Sequence, residues 1–272
     1  MFEMSHPRDA PPGTSLSYCN ACLASTRLAG LPFLSSTERA AIAACAAARR
    51  DVRSGTELTN ESETPGAIYF LESGWAGQYM ETDDGRRQIS ALLLPGDVCN
   101  LDSVLFGRLD SGVSMLTAGT VLAVPRERIA DLLASHSGIA RAFAWLGAVE
   151  NAILARRVFC LGRLSAEERM AHFLCELAVR LGLANNDAEP SFNLPLTQEQ
   201  LGDVLGLTAV HVNRMLLQLR TRGLLASTWR LVEISDVPGL RKIGQFDPGY
   251  LHAPSSRASS VSAMEMATGD LQ

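Results

Sequence analysis

Apolar residues near the C-terminal end of the chain recur at helical spacing in two short runs separated by a glycine. Leucine and valine stand at positions i, i+3 and i+4 of LTQEQLGDVL (196–205), and a helical repeat returns in AVHVNRMLLQL (209–219). Such spacing puts the apolar side chains on one face of a helix. The pattern predicts two short helices joined by a turn.

Polar residues mark the ends of both predicted helices. Thr197 and Gln200 form a capping box, in which each side chain satisfies a backbone donor at the start of the first helix. Gly206 allows the left-handed backbone that ends a short helix, Thr208 can cap the second helix, and Gly223 closes it. A unit of this size is typical of a helix-turn-helix, although a helical hairpin inside a larger bundle remains an alternative.

The outward residues of the second helix carry the chemistry of DNA reading. Val212, Leu216 and Leu219 recur at helical spacing and are predicted to face inward. Asn213 and Arg214 then face outward, and His211 and Gln218 lie nearby. Arginine can donate two hydrogen bonds to guanine, and asparagine can pair with adenine. The segment LLASTWRLVEISD (224–236) alternates apolar and polar residues and predicts a two-stranded wing. A wing after the second helix favours a winged helix-turn-helix over a hairpin.

The pattern upstream is that of an all-β domain. From about residue 52 to residue 124, short apolar runs alternate with turn signals. Asp84-Gly85 is a hairpin turn between predicted strands at 76–81 and 88–94, and 95–97 forms another turn. Several strands at such short intervals predict a sandwich or a rolled sheet.

Helix-forming residues dominate from about 125 to 183, where one long helix carries an apolar seam. The seam residues are Ile139, Phe143, Leu146, Ile153 and Cys160. They either pack on the β domain or pair with a second copy of the chain. We favour pairing with a second copy, because two helix-turn-helix units related by a twofold axis suit a palindromic DNA site. Glu150 and Arg157 fall at the same spacing as the seam residues. This part of the seam therefore either is polar or determines how two such helices pair.

Composition limits the function without selecting it. The chain has 272 residues, enough for two domains, and a net charge of −5, so any nucleic-acid binding depends on a local basic patch. Basic residues do cluster near the predicted reading helix: Arg214, Arg220, Arg222, Arg230, Arg241 and Lys242. The sequence shows neither a membrane span nor a leader segment, which predicts a cytoplasmic protein without membrane contact. It lacks a nucleophile with a matched base, an HExxH run and a glycine-rich phosphate loop, which argues against an enzyme.

Together these parts resemble the Crp/Fnr family of bacterial transcription regulators. The similar positions in the β domain are Gly66, 68–71, Gly74, 84–85 and 95–97. The resemblance implies an α+β protein with an N-terminal jelly-roll-like β-roll that senses a signal, a long dimerisation helix, and a C-terminal winged helix-turn-helix. It implies a homodimer that binds double-stranded promoter DNA and works with RNA polymerase.

The resemblance also divides the chain into segments. They are a flexible segment with a CxxC pair (1–27), the β-roll sensor (28–136), the dimerisation helix (137–163), the DNA-binding domain (164–245) and a largely disordered tail (246–272).

Carried over residue by residue, the resemblance places Thr197 on the phosphate backbone and Val210, Asn213 and Arg214 against the bases. Thr208, His211 and Gln218 complete the expected DNA-binding set. Many relatives have a glutamate at the position of Val210, where it accepts a hydrogen bond from cytosine. Valine offers only apolar contact, such as with a thymine methyl group. The operator sequence of other members therefore does not transfer to this chain.

The sequence argues against cyclic AMP as the signal. Members that bind it hold the ribose with a glutamate and the phosphate with an arginine followed by a serine. The corresponding positions here hold Leu101, Gly112 and Val113, and Arg108 is several residues out of register. An anionic phosphate needs a charged or amide-rich cradle, which these residues do not supply.

Cysteines suggest a different input. Cys19 and Cys22 form a CxxC pair, and oxygen-sensing members of the family hold an iron–sulfur cluster with such a pair. Here a third N-terminal cysteine is missing, and Leu122 occupies the usual interior cysteine position. The pair could bind metal, form a reversible disulfide or have no role. Cys45 or Cys99 could replace the missing ligands only if the fold brings them close.

The remaining cysteines and two histidines predict no cofactor site. Cys45, Cys160 and Cys175 lie in apolar helical contexts, where cysteine behaves as a small buried hydrophobic residue. His172 and His211 lie on predicted helices, where a surface or DNA-facing position is more common than haem ligation.

Overall fold

The computed structural model describes residues 17–19, 23, 26–45, 47–183, 190–227 and 230–252. It has two β-sheets followed by a long helix and a C-terminal helical domain with a small sheet of its own. The predicted α+β class with this order of parts is confirmed. Among the described residues, no helix is both long and apolar enough to cross a membrane.

The N-terminal domain consists of two four-stranded antiparallel sheets, ordered β1-β2-β8-β4 and β3-β7-β5-β6. The strands are β1 (Ser17–Cys19), β2 (Ala47–Val52), β3 (Glu57–Thr59), β4 (Ala67–Ser73), β5 (Ala76–Glu81), β6 (Arg87–Leu93), β7 (Gly112–Met115) and β8 (Gly119–Pro125). The hairpin predicted at Asp84-Gly85 joins β5 to β6. The fully buried Phe70 and Leu122 pair across β4 and β8.

Two short helices flank this roll, and their faces complete its core. Helix α1 (Ser36–Ala44) begins with a capping box between Ser35 and Glu38 and buries Ile42. Helix α2 (Arg126–Ser135) follows β8 directly and buries Ile129 in the same apolar cluster. The roll is therefore closed by helices on the side that leads into the long helix.

Helix α3 (Ser137–Arg163) has 27 residues and a length of about 40 Å. The prediction that the apolar seam forms a dimer contact is wrong, because Ile139, Phe143 and Leu146 are buried against this chain's own β-roll. Ile153 and Cys160 are also buried within the chain. A second stripe on another face of α3 is half-buried or exposed. This exposed stripe consists of Ala140, Ala144, Gly147, Asn151, Leu154 and Val158.

The C-terminal domain is a helical unit with a three-stranded sheet, ordered β10-β11-β9. Its elements are α4 (Ala166–Arg180), β9 (Ser191–Asn193), α5 (Gln198–Leu205), α6 (Ala209–Thr221), β10 (Leu225–Ser227), β11 (Leu231–Ile234) and α7 (Val237–Ile243). The predicted two-stranded wing is present as β10 and β11, which pair in antiparallel register. Strand β9 adds a third strand that the sequence pattern did not reveal.

Both ends of the folded part extend beyond the predicted boundaries. We predicted a flexible segment up to residue 27, but Ser17–Cys19 pair with β2 and Leu23 is buried. We predicted a disordered tail from residue 246, but Pro248–Leu251 form a 3₁₀ turn in which Leu251 is buried. These pieces are too short for an apolar period to reveal them. Residues 1–16 and 253–272 lie outside the described residues.

Candidate functional site

Helices α5 and α6 form a helix-turn-helix whose ends are fixed by local hydrogen bonds. The Thr197 hydroxyl accepts from the backbone N–H of Gln200, and the Gln200 side chain accepts from that of Thr197, as the capping box predicts. Thr208 caps α6 in the same way by accepting from the N–H of His211. These hydrogen bonds give partners to backbone N–H groups that would otherwise have none at the starts of α5 and α6.

Two glycines make the turn between these helices tight. Gly206 ends α5 in the left-handed region, with φ of 62°, which glycine adopts without strain. Gly202 lies one turn earlier, and a Cβ there would stand 2.4 Å from the carbonyl oxygen of Leu207. No local pattern in the sequence predicts this close approach at Gly202. Together they hold α6 at a fixed angle to α5.

Helix α6 separates an inward face from an outward one. Val212, Met215 and Leu219 are buried, whereas the predicted inward Leu216 is only half-buried. The outward residues predicted to contact DNA are all exposed: Val210, His211, Asn213, Arg214 and Gln218. Thr197 and Thr208 are exposed at the starts of the two helices. All seven predicted DNA-binding residues therefore belong to one helix-turn-helix unit.

Two of these outward residues already have side-chain partners. Nδ1 of His211 lies 3.0 Å from the Thr208 hydroxyl. The amide of Asn213 forms two hydrogen bonds with the amide of Gln198, a residue that no pattern in the sequence marked. We call Gln198 and Asn213 the amide pair.

Basic residues surround α6, but part of their charge is balanced. Arg222 donates to the Glu167 carboxylate over 2.9 Å, with both groups partly exposed. Exposed ion pairs of this kind are weak, so Arg222 can still turn toward an anion. Arg214 and Lys242 are exposed as well. Exposed cationic side chains therefore lie around α6.

A buried ion network, made of Asp97, Arg157, Glu176 and Arg180, joins the C-terminal domain to the β-roll. Arg180 donates to the carboxylate of Asp97 over 3.0 Å and approaches that of Glu176 at 3.5 Å. Arg157 approaches the same Glu176 oxygen at 3.4 Å. Arg180 and Arg157 also donate to backbone carbonyls of β6, at Leu92 and Ser90. One network therefore joins β6, α3 and α4.

The turn after α7 packs against this network through aromatic residues. The Tyr250 hydroxyl donates to Glu176 over 2.7 Å, and Nε2 of His172 lies 3.1 Å from the same hydroxyl. Nδ1 of His172 donates to the carbonyl of Gly244, and burial lowers the pKa of this histidine. The predicted surface or DNA-facing position of His172 is wrong, because tertiary contacts with the chain end bury it.

A cavity of about 940 Å³ lies between β6, the 101–106 segment and α3. Its acidic lining residues are Asp97, Asp102, Asp110 and Glu150. The arginines that line it, Arg27 and Arg180, both donate to Asp97. Burial in the cavity wall, with Asp97 and Asp102 close by, raises the pKa of Glu150 to about 8, and the positive charges of Arg180 and Arg27 partly offset this rise. The unpaired charge in this cavity is negative.

The four described free cysteines are buried: Cys45, Cys99, Cys160 and Cys175. This confirms the predicted burial of all but Cys99, for which no such prediction was made. Burial raises the pKa of Cys160 to about 11 and that of Cys175 to about 12, and it raises those of Cys45 and Cys99 as well. A thiol with a raised pKa is a poor nucleophile and metal ligand.

The described residues include only one member of the predicted thiol pair. Cys22 lies outside the described residues, and Cys19 is described as part of β1, where its backbone pairs with Ala47. Cys45 stands two residues before Ala47, whereas Cys99 belongs to a different apolar cluster. Within the described ranges, no three His, Cys, Asp or Glu side chains come together as metal ligands would. The described residues alone therefore do not supply the thiolates that an iron–sulfur cluster requires.

Comparison with known domain families agrees with this arrangement of parts. The Crp-like helix-turn-helix domain matches residues 168–243, and the cyclic nucleotide-binding domain matches residues 49–136. The first match contains the whole of α5 and α6. The second covers most of the β-roll.

Full-length relatives and solved structures are similar over both domains. The fumarate and nitrate reduction regulatory protein of Escherichia coli K12 is 26% identical over 72% of this chain and 78% of its own. The anaerobic regulatory protein of Haemophilus influenzae is 24% identical over 71% of this chain and 74% of its own. The structure of FixK2 from Bradyrhizobium japonicum is 30% identical, with a TM-score of 0.67, over 72% of this chain and 96% of that one.

Proposed function

The chain belongs to the Crp/Fnr family of transcription regulators, and we propose that α6 reads promoter DNA in the context of a homodimer. As a member of a family of DNA-binding regulators it is not an enzyme, in agreement with the sequence prediction. The observation that carries the proposal is the outward face of α6, where polar and basic side chains are exposed on a helix that Thr208 caps.

Each residue of this face receives a role in the proposal. Thr197 contacts the phosphate backbone at the start of α5, and Thr208 and His211 lie at the start of α6, where backbone donors favour phosphate. Val210 and Arg214 face the bases, with Asn213 and Gln218 beside them on the exposed side. Arg214 is the residue suited to guanine, because its two donors match the acceptors of that base.

A salt-resolved binding assay tests this function. The full chain is titrated against a DNA fragment enriched from a promoter library, with bulk DNA as competitor at several salt concentrations. Specific binding that persists against excess bulk DNA supports the proposal, because sequence-independent binding weakens steeply with salt. If no sequence outcompetes bulk DNA at any salt concentration, the chain does not read DNA sequence.

The exposed stripe on α3 is the proposed dimer contact. Its members repeat at spacings of four and three residues, and Ala140, Ala144 and Gly147 are small enough to let two helices approach closely. Leu154 and Val158 are 45% and 61% exposed in the single chain, and pairing would cover both. Family members typically bind DNA as dimers, which supports this assignment.

Replacing Leu154 with glutamate is expected to convert the dimer to a monomer, because it places two carboxylates against each other in an apolar contact. Ala148→Glu is the matched control, since Ala148 is exposed on α3 but lies outside the stripe. Sedimentation velocity measures the result. A Leu154→Glu variant that sediments as the wild-type dimer does would exclude the stripe as the interface.

We propose that the signal molecule of this regulator is not cyclic AMP. The cavity beside α3 carries unpaired acidic groups, and its two arginines are already bound to Asp97. Arg108, the arginine nearest to the family's phosphate position, donates instead to Ser62 at the surface. An anionic phosphate would meet repulsion in such a cavity.

A redox- or metal-dependent sensor is the second candidate function, and Cys19 and Cys22 are its residues. Their CxxC spacing favours it, because two thiols so close in sequence can bind metal or form a reversible disulfide. The similarity to the anaerobic regulatory protein of Haemophilus influenzae supports the same reading. An iron–sulfur cluster held by these thiols would make the regulator sensitive to oxygen.

Protein purified without oxygen is then expected to show visible absorbance and bound iron, and both should disappear when Cys19 and Cys22 become serine. Cys175→Ser is the control, because Cys175 is buried among apolar residues of α4. Colourless, iron-free wild-type protein would contradict a cluster-based sensor.

One further partner and a cellular location follow from the family and belong to the same proposal. A regulator bound at a promoter meets RNA polymerase there, and we propose contact between them. A cytoplasmic location is proposed on the same ground, since Crp/Fnr regulators are cytoplasmic DNA-binding proteins.

A further inference from the structure

The amide pair joins the two helices of the helix-turn-helix on their exposed side. Gln198 is the first residue of α5, and Asn213 lies in the second turn of α6. Nε2 of Gln198 donates to Oδ1 of Asn213 over 2.5 Å, and Nδ2 of Asn213 donates to Oε1 of Gln198 over 2.7 Å. The contact is reciprocal, so each amide both donates to and accepts from the other.

This geometry uses a particular edge of the Asn213 amide. A primary amide has one edge on which an oxygen and an N–H lie side by side, and a reciprocal pair occupies that edge on both partners. The same edge is the one with which asparagine contacts N6 and N7 of adenine. While the pair persists, Asn213 retains one N–H and the outer side of its oxygen, which allow only single hydrogen bonds.

The surrounding backbone keeps the two amides within reach of each other. The tight turn at Gly202 and Gly206 fixes the angle between α5 and α6. The capping box at Thr197 fixes the start of α5, directly before Gln198. The pair is therefore supported by the rigid parts of the motif.

The neighbours of Asn213 are not engaged in this way. Val210 is 76% exposed and presents only methyl groups, and Arg214 is exposed beside it. These two side chains remain available to bases when Asn213 is engaged by Gln198.

We propose that Gln198 is a specificity-determining residue that withholds Asn213 from adenine, so that base discrimination depends on Arg214 and on the apolar surface of Val210. This inference rests on the DNA-reading function proposed above. Gln198 acts through another residue and is a positioning residue in that sense. Its removal changes which base is preferred, in addition to any uniform change in affinity.

Binding-site selection from a random DNA library tests this with the wild type, Gln198→Ala, Asn213→Ala and the double variant. At the position that Asn213 faces, neither the wild type nor Asn213→Ala is expected to prefer adenine, whatever the overall affinity of the variant. Gln198→Ala is expected to gain a preference for adenine at one position of each half-site, by roughly 5- to 100-fold over other bases. The double variant should lose that gain, because the gain requires the Asn213 amide.

Glu199→Ala is the matched control, since Glu199 is exposed next to Gln198 and removing its charge should raise affinity for all sequences alike. An adenine preference at the position that Asn213 faces in the wild type or in Asn213→Ala, or no adenine gain in Gln198→Ala, would overturn the inference. These outcomes are distinct from failure of the proposed function, in which the wild type itself would select no sequence.

Discussion

Replacing Glu176 with alanine is expected to lower the free energy of unfolding by roughly 3–5 kcal/mol, the usual effect of removing one partner from a buried ion pair. Glu176 is 4% exposed, and its carboxylate faces the guanidinium groups of Arg157 and Arg180 and the hydroxyl of Tyr250. Without it, Arg180 keeps the carboxylate of Asp97, whereas Arg157 loses its carboxylate partner. Urea denaturation followed by circular dichroism measures the loss.

Glu167→Ala provides the matched control on the same helix. Glu167 also pairs with an arginine, Arg222, but both side chains are partly exposed to solvent. Such a surface pair contributes about 0–1 kcal/mol. Equal losses from the two substitutions would show that the buried ion network adds no stability of its own.

The loss from Glu176→Ala should also depend on pH. Burial alone would raise the pKa of Glu176, but Arg157 and Arg180 beside it hold the pKa of that carboxyl below its ordinary value of 4.5. Its contribution is therefore fully present above pH 4.5 and is lost as the pH falls through the lower pKa of the folded state. The difference in unfolding free energy between wild type and variant should accordingly shrink in acid.

Replacing Arg214 with alanine is expected to weaken binding to the preferred DNA site by roughly 5- to 100-fold, because a bidentate contact with guanine contributes about 1–3 kcal/mol of discrimination. Arg214 is exposed on the outward face of α6 and lies next to Val210, which offers no hydrogen bond. Titrations of specific and mutated DNA sites measure the change.

Arg214→Lys separates charge from geometry. Lysine keeps the positive charge but lacks the planar pair of donors that matches guanine. We expect this variant to retain more affinity for bulk DNA than the alanine variant does, while losing most of its base discrimination. An unchanged base preference in both variants would assign the reading of bases to other residues.

The helix-turn-helix could be predicted because its determinants are local. Thr197 and Gln200 cap a helix within four residues, and Gly206 ends it where a left-handed backbone is needed. Each of these signals acts through contacts close in sequence, so the local sequence nearly determines the structure of this motif. Strand β9 lies more than thirty residues before its partner β11, and no local signal reports that pairing.

The long helix shows why an apolar pattern can be assigned to the wrong partner. Helix α3 has two stripes, and Phe143 belongs to the one that packs on the β-roll, whereas Leu154 belongs to the exposed one. Both stripes satisfy the same spacing. The larger side chains on the inner stripe are used within the chain, and periodicity alone does not contain this information.

Contacts between distant charged or polar groups were outside the reach of the sequence. Asp97 and Arg180 meet across 83 residues, and Gln198 and Asn213 meet across 15 residues and a turn. The tertiary fold determines which of these groups meet. It also determines that His172 is buried against Tyr250. The outward residues of α6 could be predicted, but their mutual hydrogen bonds could not.

Selection of random DNA by the full-length wild-type chain, followed by sequencing of the bound fragments, tests the central claim most directly. A homodimer with one α6 per protomer should enrich a motif with twofold symmetry, with half-site centres about 10 base pairs apart or a multiple of that distance. Guanine should be enriched at a fixed position of each half-site. A bound pool without an enriched motif, or with a single unpaired half-site, would contradict a dimeric reader of DNA sequence.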